Sequence, residues 1–539
     1  MRDMAPLALG IDFGTESARA LLVDVTSGEE LASESFGYPH GVLDTHLLTT
    51  GAQLPRDWAL QHPGDYLEAL RRVVPATVAA SGADPARIIG IGVDFTSCTV
   101  LPATATGTPL AFVGAWRDRP HAWPKLWKHH AAQPLAERMT DVALARGEAF
   151  LERYGGRISS EWLFPKLGQI LLEDPEVYEA TDVFVEAADW IVWQLCGTLC
   201  RSASVAGFKA LWWPERGLPS EEYLEAVVPG LGRGRAKVGS KFAQLGTRAG
   251  TLTAEMASAL GLSTSVAVAV GNIDSIVCVP GCGVADPGVF VSVVGTSICD
   301  MVIEDREVLV PGITGVVRDG ILPGYFGYEA GQPAVGDMFA WYADRLLARG
   351  DYVALESGAA RVRPGESGLV ALDWFNGNRS VLADANLSGV ICGLSLRSTP
   401  EEVYRALLES VAFGARVIVD NFEEHGVRLS KIVTCGGIAE KSPLLMQLFA
   451  SVTRRRVEVA GSSQVSARGS ALLGAVAGGA LATITDAAAA LALPPAATYE
   501  PDPTWATVYD RLFGIYRELH DHFGRDSDQL MRRLKEIGA

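Results

Sequence analysis

The feature that most constrains this chain is a repeated punctuation. Three apolar stretches each end in a glycine turn: Asp12-Phe13-Gly14-Thr15, Val294-Gly295-Thr296-Ser297 and Cys435-Gly436-Gly437. Glycine at a strand end lets backbone N–H groups come close to an anion, and a neighbouring Thr or Ser hydroxyl adds a donor. One such turn is ordinary loop chemistry, since turns favour glycine in any case. Here the opening pattern of strand, Gly-Thr turn and strand returns from Gly288 onward, so two halves of one architecture are implied. No Gly-x-x-x-x-Gly-Lys-Ser/Thr run occurs, and no Gly-x-Gly-x-x-Gly follows the first strand, which excludes a P-loop.

Periodicity places the remaining elements. Leu7 to Asp24 reads as a hairpin with Asp12 near the end of its first strand, and Glu30 to Gly37 as a third strand. Tyr66, Leu67, Leu70, Val73, Val74 and Val78 recur at helical spacing within 63–80, and Ile88 to Phe95 is a short buried strand containing Asp94. Val266 to Val270 reads as a buried strand that delivers Asn272-Ile273-Asp274. Further on come a helix from Pro400 to Phe422, a strand at Lys431 to Cys435, a helix from Ser442 to Val452, a small-residue helix at Ala471 to Ala482 and an amphipathic helix from Trp505. Alternating strands and helices favour an α/β architecture. The 539 residues divide into segments 1–284 and 285–485 and a helical tail, 486–539.

Acidic residues number 63 and basic ones 46, a net charge of −17. Such an excess repels polyanions at long range, so neither nucleic acid nor an anionic membrane is an expected partner. Met1 to Leu9 lacks the apolar core of a signal peptide, and Ala471 to Ala482 falls short of the roughly 20 residues of a membrane helix, so a cytoplasmic protein is expected. Cys196/Cys200 and Cys278/Cys282 have no neighbouring histidine, which argues against a zinc site. His129-His130 is expected to pack or hydrogen-bond rather than to ligate, because adjacent residues point apart.

The chain resembles the FGGY carbohydrate kinases of the actin, Hsp70 and hexokinase ATPase superfamily. The resemblance rests on Gly10-Ile11-Asp12-Phe13-Gly14-Thr15, Gly271-Asn272-Ile273-Asp274, Gly295-Thr296-Ser297, and the run Gly436-Gly437-Ile438-Ala439-Glu440-Lys441-Ser442-Pro443. The stretches 92–99, 125–133, 206–213 and 327–332 are similar to the ribulokinase branch of that family. The resemblance implies two RNase H-like domains closing over a cleft. Segment 1–284 would hold the sugar, the phosphate loop and the catalytic carboxylate, and segment 285–485 the nucleotide. The implied reaction transfers the ATP γ-phosphoryl group to a ketopentose, L-ribulose at O5, with D-ribulose, xylulose or another polyol as alternatives. A nucleotide-dependent binding protein, like Hsp70 or actin, is the contrasting reading, and a homodimer is implied by relatives.

By the same resemblance Asp274 is the base, Asp12 positions Mg²⁺ through water, and Gly14 and Thr15 face the transferred phosphate. Gly295, Thr296, Gly436, Gly437, Lys441 and Gln332 fall to the nucleotide, and Thr96, Trp127, Lys209, Asp274 and Glu329 to the sugar. Each has a plainer reading from the residues alone. Asp274 can cap the next helix, Asp12 can bond turn amides, Trp127 can be core, Lys209 a surface charge, Glu329 half of a salt bridge, and Gln332 a solvated loop residue. Ser97 stands where the resemblance expects alanine, and its hydroxyl is expected to alter which pentulose epimer fits.

Overall fold

The computed structural model describes residues 5–348, 350–525 and 529–538. Met1 to Met4 of the N-terminal stretch, Arg349, and residues 526–528 and 539 of the tail lie outside them. Two mixed sheets form the frame. The first is built from β1 (Leu7–Phe13), β2 (Ser17–Asp24), β3 (Glu30–Gly37), β4 (Ile88–Phe95), β5 (Arg248–Thr251), β6 (Ala267–Ala269) and β7 (Asn272–Ile273). Its order is β3-β2-β1-β4-β6-β5, with β7 also paired to β4. All seven residues of β1 are buried, as expected of a continuous apolar run covered on both faces, whereas β3 carries Glu34 and serines on an exposed edge.

The second sheet contains β8 (Val289–Val294), β9 (Ile298–Glu304), β10 (Gly315–Arg318), β11 (Phe326–Gln332), β12 (Lys431–Cys435), β13 (Arg456–Val459) and β14 (Ala497–Tyr499). Its order is β10-β11-β9-β8-β12-β13-β14. In both sheets an antiparallel meander leads into a parallel strand: β1 pairs β4 in parallel, and β8 pairs β12 in the same way. The repeated pattern of the sequence is therefore a repeated topology.

Helices cover the sheets. α1 (Pro63–Ser81) starts at His62, whose ring accepts the Gly64 N–H, and stops at Gly82, whose φ of 64° suits glycine. α2 (Ala203–Lys209) ends a Trp-rich insertion with its own apolar core around Trp58, Trp123 and Trp162. α3 (Asp274–Gly281) follows β7, and α4 (Pro400–Glu424) opens with a Thr399/Glu402 capping box. α5 (Gly437–Lys441), α6 (Pro443–Thr453) and α7 (Val465–Ala477) complete the second half. α8 (Ala506–Arg525) docks through Tyr509, bonded to Arg405 and Glu409, and through Tyr516, whose hydroxyl donates to Asp373 at 2.8 Å.

α7 departs from the expected Ala471 to Ala482. It begins at Val465 and ends at Ala477, where Gly478 and Gly479 interrupt it. Although it follows the second sheet in sequence, it lies on the first. A Cβ added at Gly10 would fall 1.7 Å from Ala467 O, and one at Gly92 1.9 Å from Ser470 O. Only glycine permits that approach of strand to helix. α7 in turn crosses α3, where a Cβ at Gly469 would meet Val277 O at 1.9 Å. Among the described residues no helix is long and apolar enough to cross a membrane.

Candidate active site

Carboxylates gather where β1, β4 and β7 end side by side. Parallel register sets Asp12 opposite Asp94, and Asp94 opposite Asn272, one residue before Ile273 and two before Asp274. Asp12 is buried and forms an ion pair with Arg19, whose Nε lies 3.2 Å from its Oδ2. Burial raises its carboxyl above the ordinary range, and Arg19 opposes that rise. Asp94 is fully buried and accepts Ser470 Oγ of α7 at 2.6 Å, while its Oδ1 has no partner among the described residues. Burial and the adjacent Asp12 charge push Asp94 well up.

Asp274 is half-buried at the first turn of α3. Its Oδ1 accepts the Ser275 N–H at 2.7 Å, a local capping contact in keeping with the plainer reading. That contact leaves its other oxygen for the cleft. Burial, then the charge of Asp12, raises this carboxyl to about 7, the value a general base needs near neutral pH.

Three glycine turns follow strand ends in the two sheets. Gly14 N–H closes its turn on Ser17 O at 2.9 Å, and the Thr15 hydroxyl accepts the indole N–H of half-buried Trp127 at 3.1 Å. Trp127 is thus tied to the first glycine turn while its ring packs against the core of the insertion. Gly295 N–H repeats the closure on Ser297 O at 2.9 Å, leaving Thr296 exposed. At the third turn Gly436 has φ 95°, and a Cβ there would meet Val294 O at 2.6 Å, whereas a Cβ at Gly437 would meet nothing within 4 Å. Lys441 is exposed at the end of α5. Ser442 caps α6 and donates to Glu356 at 2.9 Å.

Lys209 and Glu329 find each other. Lys209 Nζ, at the end of α2, lies 2.9 and 2.7 Å from the two Glu329 oxygens on β11. Both are buried, so Lys209 is no surface charge, and the salt-bridge reading of Glu329 and its place beside the carboxylates hold together. Burial lowers the lysine, but Glu329 outweighs it and the ammonium stays charged. Thr96 is buried near the end of β4, its N–H donating to Phe13 O and its hydroxyl 3.1 Å from that of Thr99.

Gln332 corrects the sequence reading. It sits on no solvated loop: it is the buried end of β11, its amide N–H groups donating to Asp373 at 2.9 Å and Val411 O at 3.1 Å. Its Oε1 has no partner among the described residues. The paired histidines bond as expected, His129 to Gln169 and His130 to Ser160. All eight cysteines are free. The one His, Cys, Asp and Glu group close enough for a metal among the described residues is His40, His62 and Asp65. It is already used, His40 bonding Asp65 at 2.6 Å and His62 capping α1.

Three charged groups of this cleft escaped the sequence reading: Asp94, Glu161 and Arg379. Asp94 had a visible signal, since Gly92-Val93-Asp94-Phe95 repeats Gly10-Ile11-Asp12-Phe13. Glu161 and Arg379 sit in irregular segments with no motif, and only the fold brings them within 3.7 Å.

Comparison with known proteins agrees with this frame. The N-terminal domain model of the FGGY family of carbohydrate kinases matches residues 7–281, and the C-terminal domain model matches 290–478. The chain belongs to that family. It is a carbohydrate kinase by membership, with ATP as co-substrate. A ribulokinase of Anoxybacillus flavithermus is 49% identical over 98% of this chain and 96% of its own length. One from Mycolicibacterium smegmatis is 45% identical over 98% and 95%. Among solved structures, the xylulose kinase from Rhodospirillum rubrum superposes with a TM-score of 0.79 at 24% identity, covering 96% of this chain and 99% of its own. Plasmodium falciparum glycerol kinase with ADP gives 0.78 at 15%, covering 95% and 98%. At those identities the fold is shared: two α/β sheets about a cleft, as in the actin, Hsp70 and hexokinase-like ATPases.

Proposed function

We propose that this FGGY kinase phosphorylates a ketopentose, with L-ribulose at O5 as the substrate best supported. The supporting observation is the placement of Asp274: a carboxyl raised to about 7, set between buried Asp12 and the Lys209–Glu329 pair, in a chain 49% identical to a ribulokinase. Asp274 accepts the proton of the attacking hydroxyl. Lys209, Glu329, Thr96 and Trp127 position the sugar, whose hydroxyls need fixed donors and acceptors. The Gly14 and Gly295 turns, whose own N–H groups are closed on Ser17 O and Ser297 O, leave the Thr15 and Thr296 hydroxyls to donate to the phosphates of ATP. Gly436 and Gly437 admit the nucleoside close to the backbone, with Lys441 at the rim.

Mg²⁺ fits this carboxylate set. The unpartnered Oδ1 of Asp94 beside Asp12 is the kind of hard oxygen ligand it takes, and few protein ligands are needed where water and phosphate complete the shell. When bound, the ion neutralises charge developing on the transferred phosphoryl oxygens. Asp12 would position it through water, with Asp94 behind. Closure of the two halves excludes water and limits wasteful ATP hydrolysis. Segments 1–284, 285–485 and 486–539, a cytoplasmic setting and a homodimer belong to the same reading.

Coupled-assay rates across a pentulose and polyol panel test the substrate. L-ribulose is expected to give the highest kcat/KM; best turnover on xylulose or glycerol overturns the assignment. Sugar-independent ATP turnover would favour the binding-protein alternative.

A further inference from the structure

Two of the ion pairs that bridge from the insertion to the second half of the chain, Lys209–Glu329 and Arg379–Glu161, differ in how fully they satisfy themselves. The Lys209–Glu329 pair is doubly bonded, its side chains 4% and 8% exposed. Arg379 Nη2 stands 3.7 Å from Glu161 Oε1, beyond hydrogen-bond length, with side chains 19% and 17% exposed. Among the described residues the guanidinium has one hydrogen-bond acceptor, Cys299 Sγ at 3.8 Å from Nη1. A guanidinium carries five N–H donors, so most of those on Arg379 are left for a ligand or water.

Sheet register fixes where this loose pair stands. On β9 and β11, Cys299 lies opposite Gly331 and Met301 opposite Glu329, so Cys299 and Glu329 are diagonal neighbours on one face, roughly 7–8 Å apart. Arg379 contacts Cys299 as Lys209 contacts Glu329. The charges acting on Asp274 are those of Asp12, Lys209 and Glu329, and those acting on Arg379 include Glu161 and Glu329. Glu329 is common to both sets, so the tight pair links Asp274 to the loose one.

We propose that Arg379 and Glu161 form the far end of the sugar site, where they recognise the C1–C2 end of a ketose. This rests on the reading that Asp274 faces the hydroxyl phosphorylated at the opposite end. The planar fork of Arg379 donates to the C2 carbonyl and C1 oxygen, and Glu161 accepts the C1 O–H. A site built to bond a hydroxyl rejects the analogue that lacks it, so the pair discriminates ketopentoses from their 1-deoxy analogues.

Steady-state kinetics of the full chain test this with a ketopentose, its 1-deoxy analogue and ATP as varied substrates. Arg379→Ala is expected to raise KM for the ketopentose about tenfold or more, leave KM for ATP within about twofold, and reduce the preference over the 1-deoxy sugar. Arg379→Lys should fall between it and the parent. An unchanged ketopentose KM, a rise in the ATP KM instead, or an intact preference would overturn the proposal. Should Arg379→Ala fail to fold, the near-isosteric Glu161→Gln reads the same preference, expected to fall. If the parent enzyme phosphorylates no ketopentose, the proposed function fails first. If it does and both variants keep the full preference, only the role of Arg379 and Glu161 is lost.

Discussion

The two halves of the molecule place different chemistry at one register. Where β1 pairs β4, the facing residues are Asp12 and Asp94; where β8 pairs β12, the equivalent pair is Val293 and Cys435. Both sites lie just before a glycine turn that closes by a glycine N–H to serine carbonyl bond, three residues on at Gly14 and two residues on at Gly295. The strand and glycine-turn frame occurs twice, yet one half adds buried carboxylates and the other an apolar floor. The turns are thus a property of the fold, while the carboxylates belong to a few side chains of the first half.

Removing the carboxylate chemistry from the first half should have the largest effect. Asp274→Asn is expected to lower kcat about 10³-fold, with ADP affinity by calorimetry retained. Substantial residual turnover would show that the carboxylates do not distinguish the halves. Next in size is the reverse graft, Cys435→Asp, which buries an unpaired carboxylate with no cation beside it. A loss of about 3 kcal/mol or more in urea unfolding is expected, and a neutral outcome would mean the second half tolerates charge as the first does.

Glycine substitutions at the third turn come third. Gly436→Ala forces a Cβ against Val294 O at 2.6 Å and a positive φ on alanine, a cost of about 1–3 kcal/mol with a raised ATP KM. Gly437→Ala meets open space and should cost less than about 1 kcal/mol.

The smallest effect is a pH signature. A carboxyl raised in the folded state holds its proton longer there than in the unfolded chain. Asp274 therefore favours folding at low pH and loses that advantage as pH rises from its ordinary 3.8 to about 7. Without Mg²⁺, Asp274→Asn should melt higher than the parent at pH 8, the gap closing toward pH 4. Activity should move oppositely, kcat/KM of the parent falling below about pH 7 as the base is protonated.

Several strands were legible because they are local and patterned: β3 and β4 of the first sheet and β12 of the second have the bounds the sequence implies. The turns and Asp274 were legible through short motifs. α7 was misplaced for a physical reason. It is pressed between β1, β4 and α3, so its face residues are Gly, Ala and Ser, and no polar side exists to set a helical period. The polar side chains Arg468 and Ser470 point inward, which inverts the usual signal. Gln332 looked like loop because it follows a glycine, yet its burial depends on Asp373 and α4, which are remote in sequence. Arg379 and Glu161 became visible only as a contact, since neither lies in a periodic or motif-bearing segment.

The seat of α7 on the first sheet also bears on biosynthesis. A nascent chain that has not yet delivered Val465 has already made every strand of that sheet, but leaves Gly10, Gly90 and Gly92 without the helix that covers them. The N-terminal portion therefore waits on the ribosome as an incomplete body, with an apolar ledge open to chaperones or to other nascent chains. Translation past residue 477, rather than past the link between the sheets, is the point at which the first half can finish folding.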